Sequence, residues 1–153
     1  MAEEVRTLEN RQLLGEAERL LREGRSVVIP TAGRSMLPFI HGGRDTVRLQ
    51  PAAEPGLWQI VLVHSGGRYF LHRIVAIAPD DIVLMGDGNL RAREHCRPDE
   101  IAGVAQAVIR PGGREIPCLD RAALRRGRIW YRFRFLRRFL LLIYKIICHS
   151  RIK

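Results

Sequence analysis

Lysine is nearly missing from this chain. Of its 26 basic residues only Lys145 and Lys153 are lysine, so residues 1–144 contain no lysine that could serve as a base. Acidic residues stop at Asp120. Residues 1–120 hold all 16 of them beside 15 basic residues, a net charge of −1, and the stretch from Arg121 onward holds the other 11 basic residues unopposed. The overall charge of +10 therefore belongs to the C-terminal segment, not to a uniformly basic fold of the kind that binds nucleic acid. Cysteine is sparse. Cys96, Cys118 and Cys148 are odd in number and lack CxxC spacing, which argues against a disulfide framework or a zinc site and favours a reducing compartment. The N-terminus is charged and carries no apolar run of the kind a secretory signal needs. Internal repeats and low-complexity linkers are also missing, and the length fits one domain with a real core.

What is present begins with Leu8, Leu13, Leu14, Leu20 and Leu21 among Glu and Arg, the pattern of one amphipathic helix that Gly24 ends. One helix is too little for a helix-turn-helix module, which counts against a DNA-binding repressor. Short strand-like runs follow at residues 26–30, 46–49, 60–64, 68–78, 82–85 and 101–109. Ser65-Gly66-Gly67 and Pro111-Gly112-Gly113 read as turns between them. The pattern predicts a mostly β (α+β) protein: an N-terminal helix over 1–24, a compact β body over 25–117, partly open or barrel-like, and a basic helical tail over 118–153.

Three strings carry chemistry. Gly33-Arg34-Ser35-Met36-Leu37-Pro38 places a serine in a tight turn that can hold its hydroxyl outward while backbone N–H groups face a developing oxyanion. Gly33, Arg34, Met36 and Pro38 are the candidate substrate-binding and oxyanion residues of that turn. Tyr69-Phe70-Leu71-His72-Arg73-Ile74-Val75 places a histidine in an apolar strand, and Gly86-Asp87-Gly88-Asn89 places an aspartate in a Gly-rich turn. An isolated serine turn or a lone strand histidine is ordinarily structural. Together, a hydroxyl, a base and a carboxylate are what nucleophilic acyl transfer needs. With no lysine before Lys145, histidine is the best available base for Ser35, since its unperturbed pKa lies near neutrality.

These three strings resemble the boxes of type I signal peptidases and of the SOS-repressor-type autoproteases related to them. The resemblance covers roughly residues 26–110. His72-Arg73 in place of Lys-Arg is similar to the endoplasmic-reticulum and archaeal branch and to small bacterial relatives that use Ser–His. The resemblance implies a signal-peptidase-like β fold, with Ser35 as nucleophile, His72 as general base and Asp87 as the third member. The chain departs from the family in lacking its membrane-spanning N-terminal helix and at two places in the strings. Trp58-Gln59-Ile60-Val61 stands where a Gly-Asp-Ile-Val string is usual, and Leu90-Arg91-Ala92-Arg93-Glu94-His95-Cys96 replaces a Ser-x-Asp-Ser-Arg continuation.

His41, Asp45, His64, His95 and Cys96 read as turn, surface or structural residues, and no metal or cofactor is implied. In the tail, Ile129, Phe133, Leu136, Leu140, Ile143 and Ile147 form one helical stripe among arginines, and residues 139–148 are apolar almost all round. Spanning a bilayer takes about 20 apolar residues, so this segment is too short to cross one alone. An anionic membrane surface is the first expectation for it, a packing or oligomer helix the second, nucleic acid the third. The composite expectation is a serine endopeptidase acting on an extended peptide, cytoplasmic or peripheral to the inner membrane, with a homo-oligomer left open. A peptide-binding module without turnover and a self-cleaving regulator are the rival readings.

Overall fold

A glycine pair makes the clearest turn of the sheet. In the computed structural model, which describes the backbone of residues 2–150 and the side chains of residues 10–147, Gly66 and Gly67 take φ of 56° and 71° between strands β3 (Ile60–Ser65) and β4 (Arg68–Ile77). Two consecutive positive φ angles suit the right-handed twist of a two-residue hairpin, and only glycine takes them without strain. The expected helix is α1 (Ala2–Arg22), followed by β1 (Val27–Pro30) and β2 (Thr46–Gln50). Beyond the hairpin come β5 (Ile82–Met85), β6 (Glu94–Cys96), β7 (Ile101–Ile109) and β8 (Glu115–Pro117). Helix α2 (Arg121–Arg132), a 3-10 turn (Arg134–Leu136) and helix α3 (Arg137–Ser150) complete an α+β fold. Leu8 and Cys148 of the sequence patterns have side chains outside the described residues.

All the strand pairs are antiparallel, in the order β1-β2-β7-β3-β4-β5-β6, with β8 on the far end of β7. Alternation along β3 divides the core. Ile60 and Leu62 face one cluster with Ala17 and Leu21 of α1, Met36 and Ile40, while Val61 and Val63 face a second cluster with Ile74 and Leu84. Helix α1 packs on β1 and β7, close enough at Gly103 that a Cβ there would lie 2.8 Å from Leu21 Cδ1. Glu18 holds the helix to the hairpin by accepting from Tyr69 Oη at 2.6 Å and from His64 Nδ1 at 2.8 Å.

The expected division at residue 118, body before and tail after, does not describe α2. Asp120 caps that helix by accepting from Ala123 N at 2.6 Å, and Ala123 and Gly127 are buried. Gly127 lies against the Arg73 guanidinium so closely that a Cβ would come within 2.4 Å of Nη1. Trp130 Nε1 donates to the Asp87 carbonyl at 2.7 Å. Helix α2 is therefore part of the body, and the charge count concealed this because its small, inward residues carry no charge.

Gln59 Oε1 accepts from Gly56 N at 2.9 Å and closes the turn before β3. Trp58 sits at a positive φ of 71°, and its carbonyl accepts from Arg73 Nη1 at 2.7 Å.

Candidate active site

Ser35 lies in the loop that follows β1. Gly33 takes a φ of 76°, Leu37–Pro38 is a cis peptide bond, and Gly42 backs the loop so closely that a Cβ there would overlap the Gly33 carbonyl. Met36 is buried in the α1-side cluster, and its carbonyl accepts from Phe39 N and Ile40 N. The loop is also tied to the 86–89 turn, where Gly88 N donates to Ser35 O at 2.7 Å. Gly88 itself leaves no room for a side chain, since a Cβ would lie 2.6 Å from Arg34 O. Among the described residues, the Ser35 hydroxyl and the N–H groups of Ser35 and Met36 have no intramolecular partner. Ser35 lines a cleft of about 340 Å³ that Leu13, Leu14, Ile29, Met36, Leu62 and Leu71 make largely apolar.

Two strand edges border this cleft. Strand β1 pairs with β2 alone, and β4 pairs with β5 only from Arg73 onward, which leaves residues 68–72 without a strand on that side. Ile29, Pro30, Tyr69, Phe70 and Leu71 from these two edges line the cleft. Burial and the Glu18 carboxylate push the Tyr69 hydroxyl up to about 12, so it stays a neutral donor.

His72 is buried, and its Nδ1 lies 2.9 Å from Glu94 Oε2. A carboxylate accepts from the ring, so Nδ1 is the nitrogen that donates to Glu94 and Nε2 is the one turned away from it. Strand β5 ends opposite Arg73, and Glu94, paired with Leu84, reaches His72 past that end. His72, Glu94, Phe70 and Arg68 surround a recess of about 420 Å³. Phe70, whose ring is 5.3 Å from the imidazole, borders both this recess and the Ser35 cleft.

The expected third member is elsewhere. Asp87 accepts from Arg73 Nε at 2.8 Å and Nη2 at 2.7 Å, both groups being almost fully buried. The physical reason is strand alternation: adjacent residues of β4 point to opposite faces, so the 86–89 turn that meets Arg73 cannot also meet His72. Asp87 is thus the counter-ion of Arg73 and the anchor of the turn that supports Ser35. Glu94 was missed because its position depends on the β5–β6 register. Its one sequence signal is that it is the acidic side chain in the 90–96 stretch that replaces the usual third string.

The expected Ser35–His72 hydrogen bond is not made among the described residues: Leu71, which lines the Ser35 cleft, and His72 are neighbours in β4 and face opposite sides of the sheet, so Ser35 and His72 line different recesses, with Phe70 bordering both. Gly33 lines the Ser35 cleft, Arg34 borders a different cavity beside α3, and Leu37–Pro38 turns the chain back into the core. His41 meets the Tyr144 hydroxyl through Nε2, while Asp45 is buried against Arg44 and Arg110, consistent with structural roles. Comparison of the chain with protein-family models, with curated proteins and with solved structures finds no match in any of the three.

Proposed function

We propose that this protein is a serine endopeptidase that resembles the signal-peptidase type, with Ser35 as nucleophile, His72 as general base and Glu94 in the place expected of Asp87. The observation that carries the reading is the buried His72 held by Glu94 at 2.9 Å in a recess that shares Phe70 with the cleft of Ser35, whose hydroxyl has no partner among the described residues. An extended peptide pairs with the free edge of residues 68–72 or of β1, which brings its scissile carbonyl to the Ser35 loop. Ser35 Oγ attacks that carbon while its proton passes to His72 Nε2, and the Nδ1–H bond to Glu94 stabilises the imidazolium. The free N–H groups of Ser35 and Met36 are placed in the same turn to receive the oxyanion. The imidazolium then protonates the leaving amine, and water, deprotonated by His72, releases the acyl group. Because Leu71, which lines the Ser35 cleft, and His72 are adjacent in β4 and face opposite sides of the sheet, the reading requires the free edge at residues 68–72 to rearrange when peptide binds so that Nε2 reaches the Ser35 hydroxyl.

One observation favours a second reading. Ser35 and His72 open into separate recesses, which suits a module that binds extended peptides in the cleft without cleaving them. Incubation with a mixed peptide library, read by mass spectrometry, decides between the two. The peptidase reading expects cleavage that Ser35→Ala and His72→Ala each abolish, with the double variant no worse than either. Glu94→Gln should lower the rate by at least about tenfold, because it removes the charge that steadies the imidazolium. Peptide binding without cleavage by the wild type overturns the catalytic reading, and retained cleavage in His72→Ala removes histidine as the base.

A further inference from the structure

The outward face of α3 is the wrong face for a helix in water. Arg137 points inward and is 1% exposed, and Leu141 and Tyr144 follow it on the body side. The opposite side carries Phe139, Leu142, Ile143 and Ile147, between 52% and 62% exposed, and the preceding turn adds Phe135 at 72%. A solvent-facing helix ordinarily puts its charges there. Here the cations flank the apolar strip instead. Arg138 and Lys145 are seven residues apart and so share one side of α3, where with Arg34 and the leucines Leu37, Leu90 and Leu142 they line a cavity of about 420 Å³. Arg134, Arg138 and Arg91 surround a neighbouring cavity that contains Phe135 and Leu90. Neither lining includes a carboxylate.

We propose that α3, its preceding turn and the Leu90 loop form a docking surface for an anionic lipid bilayer, with the two basic cavities receiving headgroup phosphates. Charge complementarity selects this occupant. The apolar strip enters the acyl boundary while the flanking guanidinium and ammonium groups stay at headgroup level, the arrangement of a helix lying in the interface plane. A second copy of the chain fits poorly, because every residue after Asp120 is basic or uncharged and two such faces would set cation against cation. Nucleic acid would pair with the arginines but leave the phenylalanine and isoleucine strip uncovered. Crossing is excluded for α3, whose 14 residues rise about 21 Å against a hydrocarbon core of about 30 Å. Among the described residues, no helix is long and apolar enough to cross a membrane. The inference stands apart from the peptidase reading, since it concerns binding alone.

Co-sedimentation of the full chain with vesicles at low salt tests it. Vesicles of phosphatidylcholine with about one third phosphatidylglycerol should bind the protein, and phosphatidylcholine alone should bind it far less. The double variant Arg134→Glu/Arg138→Glu should weaken binding by roughly 30-fold or more, since each cation near an anionic surface contributes about fivefold. Phe135→Ser/Phe139→Ser should weaken binding to the same vesicles without removing charge. Arg114→Glu, on the exposed turn between β7 and β8, should bind like the wild type. Thermal melts of each variant, followed by circular dichroism, separate lost docking from lost folding. The proposal is overturned if the wild type ignores the anionic vesicles, if both double variants bind undiminished, or if ultracentrifugation shows a dimer that the phenylalanine variant dissolves. Displacement of bound protein from vesicles by RNA at equal phosphate would likewise reassign the face to nucleic acid.

Discussion

Replacing Asp87 by asparagine separates the two roles a carboxylate in the 86–89 turn could have. Asp87 is 2% exposed and Arg73 is 4% exposed, and the two are joined by a bidentate pair. Asparagine keeps the shape but removes the charge, leaving the guanidinium buried without a counter-ion. Breaking a buried pair from one side costs about 3–5 kcal/mol. The upper part of that range is the better expectation, because a second guanidinium depends on the same acid. Arg137 is buried over Trp130, donates to the Asn89 carbonyl at 2.9 Å, and has its pKa lowered by burial while the field of Asp87 works to raise it. Against the 5–15 kcal/mol typical of a domain, such a loss is large, and at about 2–4 °C per kcal/mol it lowers Tm by roughly 6–20 °C. Urea and thermal unfolding followed by circular dichroism measure it. A companion variant, Arg73→Met/Asp87→Leu, should recover much of the loss, because it removes both charges together. If Asp87→Asn unfolds within about 1 kcal/mol of the wild type while peptide cleavage falls by orders of magnitude, the counter-ion assignment is wrong and Asp87 belongs with His72.

Two further outcomes follow from the same packing. Gly127→Ala drives a Cβ to 2.4 Å from Arg73 Nη1, and because Asp87 and the Trp58 carbonyl fix that guanidinium, the variant should lose about 1–3 kcal/mol in the same unfolding assay. Burial pushes the Cys118 thiol up to about 11 from an ordinary 9.0, so at pH 8 its thiolate fraction is about a hundredfold smaller. Alkylation of Cys118 in the native protein, followed by peptide mass spectrometry, should therefore be at least that much slower than in urea and should accelerate as pH rises toward 11; rapid labelling at neutral pH would refute the burial.

Most of the fold was legible because its signals are local. The leucine spacing of α1, the glycine pair at 66–67 and the alternating runs of β2 and β4 each report on a few neighbouring residues. The site was legible as a neighbourhood: the Ser35 loop, the strand of His72 and the 86–89 turn do converge, through the Gly88–Ser35 and Arg73–Asp87 bonds. The partners within it were not. Which of two adjacent residues, His72 or Arg73, meets Asp87 depends on the facing of one strand, and a shift of one residue exchanges the answer. Glu94 required the pairing of β6 with β5, a relation between segments that no short string encodes. The docking of α2 was hidden for a different reason. Its closest approach to Arg73 is at Gly127, beside a buried Ala123 and the Trp130 bond to Asp87, and these few uncharged residues are outnumbered by arginines in any count of the segment.

The same bonds make the C-terminal helices and the serine loop one mechanical unit. Arg137 at the start of α3 donates to the Asn89 carbonyl, and Trp130 of α2 donates to the Asp87 carbonyl. Within that turn, Gly88 N donates to the carbonyl of Ser35. A force on α3 is therefore passed to the Ser35 backbone through the 86–89 turn, with no flexible side chain between the turn and the loop. The turn cannot relax sideways, since Asp87 is held by two bonds to Arg73 and Gly88 is pressed against the Arg34 carbonyl. Any surface that seats α3 is thus coupled to the Ser35 loop through the 86–89 turn. A bilayer seated under the apolar strip, as proposed for α3, would therefore bear on the Ser35 loop through backbone bonds alone between the turn and the loop.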